Sequence, residues 1–192
     1  MAITTASLLG ALRAPSAPAR ATLAALLHKN VDRAAHSAAT SDLNLLRKPT
    51  EAQAKAGNYK KGHARVAGLP ITIENPAGSR RRPDWPALTA HYGYVRGTEG
   101  ADGDQVDVFV RPGTPEDWDG DVFVIDQTDA DGTFDEHKAM AGYDDEDQAV
   151  RAYSGNYPDG WKVGPVTTLS ADDFRSWLNA GDTAKPMASS DK

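Results

Sequence analysis

Polar and apolar residues alternate most clearly in the middle of the chain, where Val106, Val108 and Val110 share one face of a short run with Phe109 on the other. This period of two predicts a strand. Shorter runs of the same kind, Ala64 to Val66 and Leu69 to Ile73 around Gly68, predict two strands that end in an Asn75-Pro76-Ala77-Gly78 turn. Val122 to Ile125 predicts another, returning through the turn Asp129-Ala130-Asp131-Gly132 along Thr133 to Met140. Helical spacing predicts a turn of helix opened by Thr50 with Gln53 reaching back and stopped by Gly57, a helix over residues 144–153, and one over residues 171–179 capped by Ser170 and Asp173. Upstream, Leu23, Leu26, Leu27 and Val31 fall at helical spacing in an Ala-rich stretch. The expected architecture is mainly β with flanking helices.

Charge divides the chain. Residues 1–48 carry six Lys or Arg against two Asp, a local +4 within an overall −6, leaving −10 for the remainder. The expected organisation is a basic, partly helical or disordered arm over 1–48, a domain over 49–182 and a flexible tail over 183–192. The arm suits docking to a protein partner, and its lack of acid over the first 31 residues gives it a faint transit-peptide look. The acidic body is a poor surface for nucleic acid, and no apolar run reaches the length of a membrane span. With no cysteine, a metal site would use oxygen and a few His, which favours Mg²⁺, with Mn²⁺ next.

The candidate chemistry lies at Asp102, Asp104 and Asp107, three carboxylates within six positions ahead of the central strand. Crowded carboxylates repel, so their approach implies a bound cation or screening by water. Gly103 frees the backbone between the first two, and Tyr92-Gly93-Tyr94 ends eight residues before Asp102. Arg80, Arg81 and Arg82 form a basic run suited either to solvent or to bidentate contact with phosphate. His91 and His137 flank these residues singly, a pattern more common for packed side chains than for ligands. No Ser or Cys nucleophile motif and no Gly-Lys-Ser phosphate loop is present, so covalent catalysis is not indicated.

The run Asp-Gly-Asp-Gln-Val-Asp-Val with its upstream Tyr-Gly-Tyr resembles the signature of soluble inorganic pyrophosphatases, with Gln105 where the family usually has Pro or Glu. More narrowly, the stretch from Lys61 through Asp145 is similar to the pyrophosphatase-like domain of multidomain bacteriophage proteins. The resemblance implies a five-stranded, OB-like antiparallel barrel and hydrolysis of pyrophosphate by a Mg²⁺-activated water. It implies Asp102 and Asp107 as metal ligands and Asp104 as the base. Asp131, Glu136 and Lys138 satisfy the later acid and Lys spacing, with Asp129 and Asp135 competing for the acidic roles. Glu74 matches an early metal-site Glu, and Tyr92 a site tyrosine. The chain departs from the family at Thr72 and Leu88, where Lys and Tyr are usual, leaving Lys60, Lys61, Arg65 or the Arg80 to Arg82 run to hold phosphate. The resemblance leaves three functions open: a pyrophosphatase, a hydrolase of another phosphoanhydride, or a non-catalytic virion or assembly protein. It places the chain in the cytoplasm of a bacterial host or in a virion, as a monomer or an oligomer.

Overall fold

The structure, a computed structural model, describes residues 30–188. Leu23, Leu26 and Leu27 of the expected arm helix, and residues 189–192 of the expected tail, lie outside them. Seven strands form one sheet: β1 (Gly62–Val66), β2 (Leu69–Asn75), β3 (His91–Val95), β4 (Asp107–Val110), β5 (Val122–Thr128), β6 (Phe134–Ala141) and β7 (Val166–Leu169). Their spatial order is β1-β2-β3-β4-β6-β5-β7. All pairs are antiparallel except β4 with β6, because the β5–β6 hairpin folds back so that its second strand joins β4. The mainly β expectation holds, while the expected five-stranded barrel differs from what is observed: a seven-stranded mixed sheet with β1 and β7 at its two edges. The reason lies in long-range pairing, since alternation tells a strand which face is buried but not which neighbour it takes.

Among the described residues four helices accompany the sheet: α1 (Val31–Ala35), α2 (Glu51–Lys55), α3 (Glu146–Gly155) and α4 (Ala171–Ala180). The expected caps form, with Thr50 and Gln53 making a reciprocal capping box and Ser170 accepting from the Asp173 N–H. Each sheet face carries an apolar cluster. Val66, Ile71, Ile73, Val95, Val108, Val110 and Val124 meet α1 and Phe174 of α4 on one side. Tyr92, Phe109, Phe123, Ile125 and Met140 meet Ala149 and Tyr153 of α3 on the other. Among the described residues no helix is long and apolar enough to cross a membrane.

Part of the stretch expected to be a separate arm belongs to the core. Val31 and Ala35 are fully buried, and α1 crosses β1 so closely that a Cβ on Gly62 would stand 2.2 Å from the Ala34 carbonyl oxygen. A buried histidine pins the helix. His91 Nδ1 accepts the Ala77 N–H (3.0 Å), which puts the ring proton on Nε2, 3.0 Å from Asp32 Oδ1. Burial lowers the His91 pKa and favours the neutral ring, and both ring nitrogens are taken, by the Ala77 N–H and by Asp32, so the side chain serves packing rather than metal ligation. Asp32 Oδ1 also accepts the Gly113 N–H at 2.7 Å.

The other end of the chain is fastened too. Asp126, in β5 and 2% exposed, accepts the N–H groups of Met187 (3.2 Å) and Ala188 (2.9 Å), so these residues of the expected tail have fixed partners. His137 of β6 places Nδ1 2.9 Å from Asp126 Oδ1, poorly aligned for a hydrogen bond, and Nε2 3.0 Å from the Lys185 carbonyl oxygen. Burial alone would raise the Asp126 carboxyl, but His137 and the two N–H groups outweigh it and hold it below its ordinary 3.8. A depressed folded-state pKa contributes stability that is present above the unfolded value and lost as pH falls through the folded one. Asp126→Asn is therefore expected to lower the denaturant midpoint at pH 6, with the gap to the parent closing below about pH 3.8. A gap that stays constant down to pH 2.5 would show that the carboxylate charge contributes nothing.

Candidate functional site

The site is built on the sheet face that carries Tyr92 and Phe109, at the end where β4 begins. Strand alternation does the sorting: with Val108 and Val110 turned to one core, Asp107 and Phe109 turn to the other side, beside Tyr92 and Tyr94 of β3. Glu74 of β2 follows Ile71 and Ile73 in the same alternation. Gly93 lets β2 and β3 approach, since a Cβ there would meet the Thr72 carbonyl oxygen at 1.8 Å.

Asp102 and Asp104 come from the loop between β3 and β4. Thr98 ties that loop at both ends, donating to the Val95 carbonyl (2.7 Å) and accepting from Val106 N–H (3.0 Å). The Gly97 N–H donates to the Gln105 side chain (2.8 Å), so the residue that departs from the family signature has a local role. The Asp102 carboxylate accepts the Asp104 N–H at 3.0 Å, and both side chains are exposed.

One cavity of about 480 Å³ gathers Glu74, Asp102, Asp104, Asp107 and Glu136 with Lys61, Arg81, Tyr92 and Tyr94 on its walls. Lys138, 1% exposed, reaches it from β6: its ammonium bonds Asp107 and stands 2.7 Å from Glu136 Oε1. Asp107 also accepts the Tyr92 hydroxyl at 2.5 Å. Arg81 donates to that same hydroxyl oxygen at 2.7 Å, with its guanidinium 3.7 Å from the Tyr92 ring centroid. Burial and the Asp107 charge push the Tyr92 hydroxyl well above its ordinary pKa, so it acts as a donor. Glu136 is raised by burial, with Lys138 opposing and Asp107 and Asp102 adding to it. On the β2 side, Lys61 Nζ lies 2.5 Å from Glu74 Oε1 and 5.2 Å from the Tyr94 ring centroid. Thr72 is buried instead, 3.2 Å from His63 Nδ1.

Not every sequence candidate arrives. Asp131 is exposed in the β5–β6 turn, where it accepts the Thr133 N–H, and does not line the cavity. Asp135 does not line it either: it accepts from Gln127 Nε2 at 3.0 Å, whereas its neighbour Glu136 turns in. Arg80 lines an adjoining cavity, and Arg82 is exposed over Trp85, 4.8 Å from the ring centroid. Gln127 was missed by sequence reasoning. It is buried in β5, donates to Glu136 at 3.2 Å and accepts from the hydroxyls of Tyr153 and Tyr157, both at 3.0 Å. The available signal was a polar pair, Asp126-Gln127, continuing directly from the apolar run Val122 to Ile125.

Among the described residues no three acidic or histidine side chains are already gathered into an ion cage; Asp107 and Glu136 pair with Lys138, and Glu74 with Lys61. The donor set is all oxygen, which fits a hard divalent cation.

The family model for inorganic pyrophosphatase matches residues 51–179. The chain belongs to the inorganic pyrophosphatase family. The matched segment contains the whole cavity wall, from Ala54 to Glu136, together with Lys138. A search among curated proteins returned no match.

Lys138 is the counter-charge on which this inorganic pyrophosphatase fold closes its acidic face, so its removal isolates two carboxylates. Lys138→Met is expected to cost about 3–5 kcal/mol in denaturant unfolding. Combining it with Glu136→Gln should cost less than the sum of the two single changes, because the pair is coupled. Strict additivity would show that the ammonium and Glu136 do not interact.

Proposed function

We propose that this chain hydrolyses inorganic pyrophosphate with Mg²⁺, or Mn²⁺, held by Asp102, Asp107 and Glu136 with Glu74 nearby. The observation that carries the reading is the meeting of five carboxylates and three basic side chains, Lys61, Arg81 and Lys138, in and around one cavity inside the family-matched segment. Bound cations supply acidification of a water and neutralisation of phosphoryl oxygens. The chain's own groups do the rest. Asp104, exposed at the cavity mouth, takes the proton of the attacking water. Arg81 and Lys61 hold the phosphate oxygens, Arg81 in the bidentate manner its planar group allows. Tyr92 keeps Asp107 oriented through its 2.5 Å hydrogen bond and remains a donor. Lys138 holds Asp107 and Glu136 together against their mutual repulsion and limits the charge the site carries before substrate enters.

Phosphate release from pyrophosphate by the full chain is expected only with divalent cation and should vanish on chelation. Turnover without metal would overturn the cation's role, and no turnover with Mg²⁺ or Mn²⁺ would overturn the hydrolytic reading.

Two isosteric changes should fail differently. Asp107→Asn is expected to weaken metal affinity first, with activity partly restored by excess Mg²⁺. Asp104→Asn is expected to lower turnover by roughly a hundredfold or more at saturating Mg²⁺ while shifting metal affinity little. Metal titration followed by phosphate release separates the two, and equal loss of metal binding in both would make Asp104 a ligand instead of the base.

A further inference from the structure

A second cavity, also of about 480 Å³, opens beside the first. The two share Ala54, Glu74, Arg81 and Tyr92, so Arg81 stands at the seam and faces both. Its far wall is Thr40, Asp42, Lys48 and Pro49, all upstream of residue 51, where the family match begins. The inorganic pyrophosphatase segment alone does not build this space.

The added wall is held in place. Thr40 Oγ1 donates to the Glu74 carbonyl, tying the wall to the strand that carries a site carboxylate. Lys48 Nζ donates to the Thr40 carbonyl (3.0 Å) and pairs with Asp42 Oδ1 (2.8 Å). Asn44 bonds the carbonyls of His36 and Ala38 at 2.8 and 2.7 Å, and the Ala39 N–H reaches the Lys60 carbonyl at 2.8 Å. Opposite stand Tyr59, Asn75 and Arg80.

Cavities on the order of 300–1,000 Å³ enclose drug-sized organic ligands, so a diphosphate seated in the first cavity leaves the second unfilled. The lining suits a hydroxylated, partly aromatic group. Asp42, Thr40 and Asn75 offer acceptors and donors for hydroxyls, Tyr59 contributes an aromatic side chain to the wall, and Arg80 with the shared Arg81 favours a ligand that carries negative charge.

We propose that this cavity is a nucleoside subsite and that the chain takes nucleoside diphosphates, with the diphosphate in the acidic cavity and the nucleoside against Thr40, Asp42, Lys48 and Tyr59. The placement of the diphosphate rests on the reading under Proposed function. In the reaction the water oxygen bonds to the terminal phosphorus and the P–O bond to the bridging oxygen breaks. The bridging electron pair leaves with the nucleoside monophosphate, and the water's proton passes to Asp104 and then to solvent. The products are a nucleoside monophosphate and inorganic phosphate.

Binding is tested by calorimetry on the full chain with Mg²⁺, using the α,β-methylene analogues of ADP and UDP against methylenediphosphonate, which lacks the nucleoside. The nucleotides are expected to bind about tenfold more tightly or better. Asp42→Ala and Lys48→Ala, at side chains 75% and 47% exposed and outside the buried core, are expected to remove most of that advantage. They should leave methylenediphosphonate affinity and pyrophosphate turnover within about twofold of the parent. Equal affinity for nucleotides and methylenediphosphonate overturns the subsite, as does an advantage that survives both variants. Pyrophosphate turnover without any nucleotide advantage overturns the subsite alone, whereas nucleotide advantage without turnover of any substrate overturns the hydrolytic reading and leaves the subsite standing.

Discussion

The contact on which the site depends is the Lys138 ammonium set between Asp107 and Glu136. Asp107 and Lys138 are direct register partners across the parallel β4–β6 pair, and Glu136 lies two residues before Lys138 on the same side of β6. A buried ammonium at the core edge is tolerated because two half-buried carboxylates satisfy it. The crossover that brings β6 beside β4, with β5 outside it, is therefore also what assembles the charge cluster. Tyr92, Gln127 and the tyrosines of the α3 region extend the network, so the acidic face is backed by hydrogen-bonding side chains rather than loose solvent.

Legibility followed range. The Asp102, Asp104, Asp107 set and its Tyr-Gly-Tyr partner were readable because their placement is fixed by a few residues of loop and by strand alternation. The choice between Asp135 and Glu136 was not. It turns on which face of β6 is which, and an irregularity between Gln127 and Thr128 resets the pairing near that point. The seven-stranded order depends on contacts far apart in sequence, which no local pattern encodes. Val31 showed helical spacing, but its burial against the sheet was hidden, as was that of Ala35, because a helix of five residues is too short to show which domain its apolar face joins. Ala188 gave no signal, since it is held through its backbone N–H, and Met187, a single large apolar residue in a polar stretch, adds side-chain packing against the core to the same kind of backbone bond.

The family match begins at residue 51, yet the stretch ahead of it contributes core, a histidine clasp and one wall of a cavity. Family membership and structural boundary therefore differ here: the shared segment carries the acidic chemistry, and the preceding one shapes what lies next to it.

The clasp between Asp32 and His91 also sets an order of events during synthesis. The two residues are 59 positions apart, and Asp32 is separated from its other partner, Gly113, by 81. At roughly 5–20 residues per second, Asp32 is made about 3 to 12 seconds before the ring it will bond. Val31 and Ala35 are translated early and buried late, so the nascent chain carries an apolar segment without its sheet until β3 has been made. On the ribosome, this piece of the core waits for the strands it will cover.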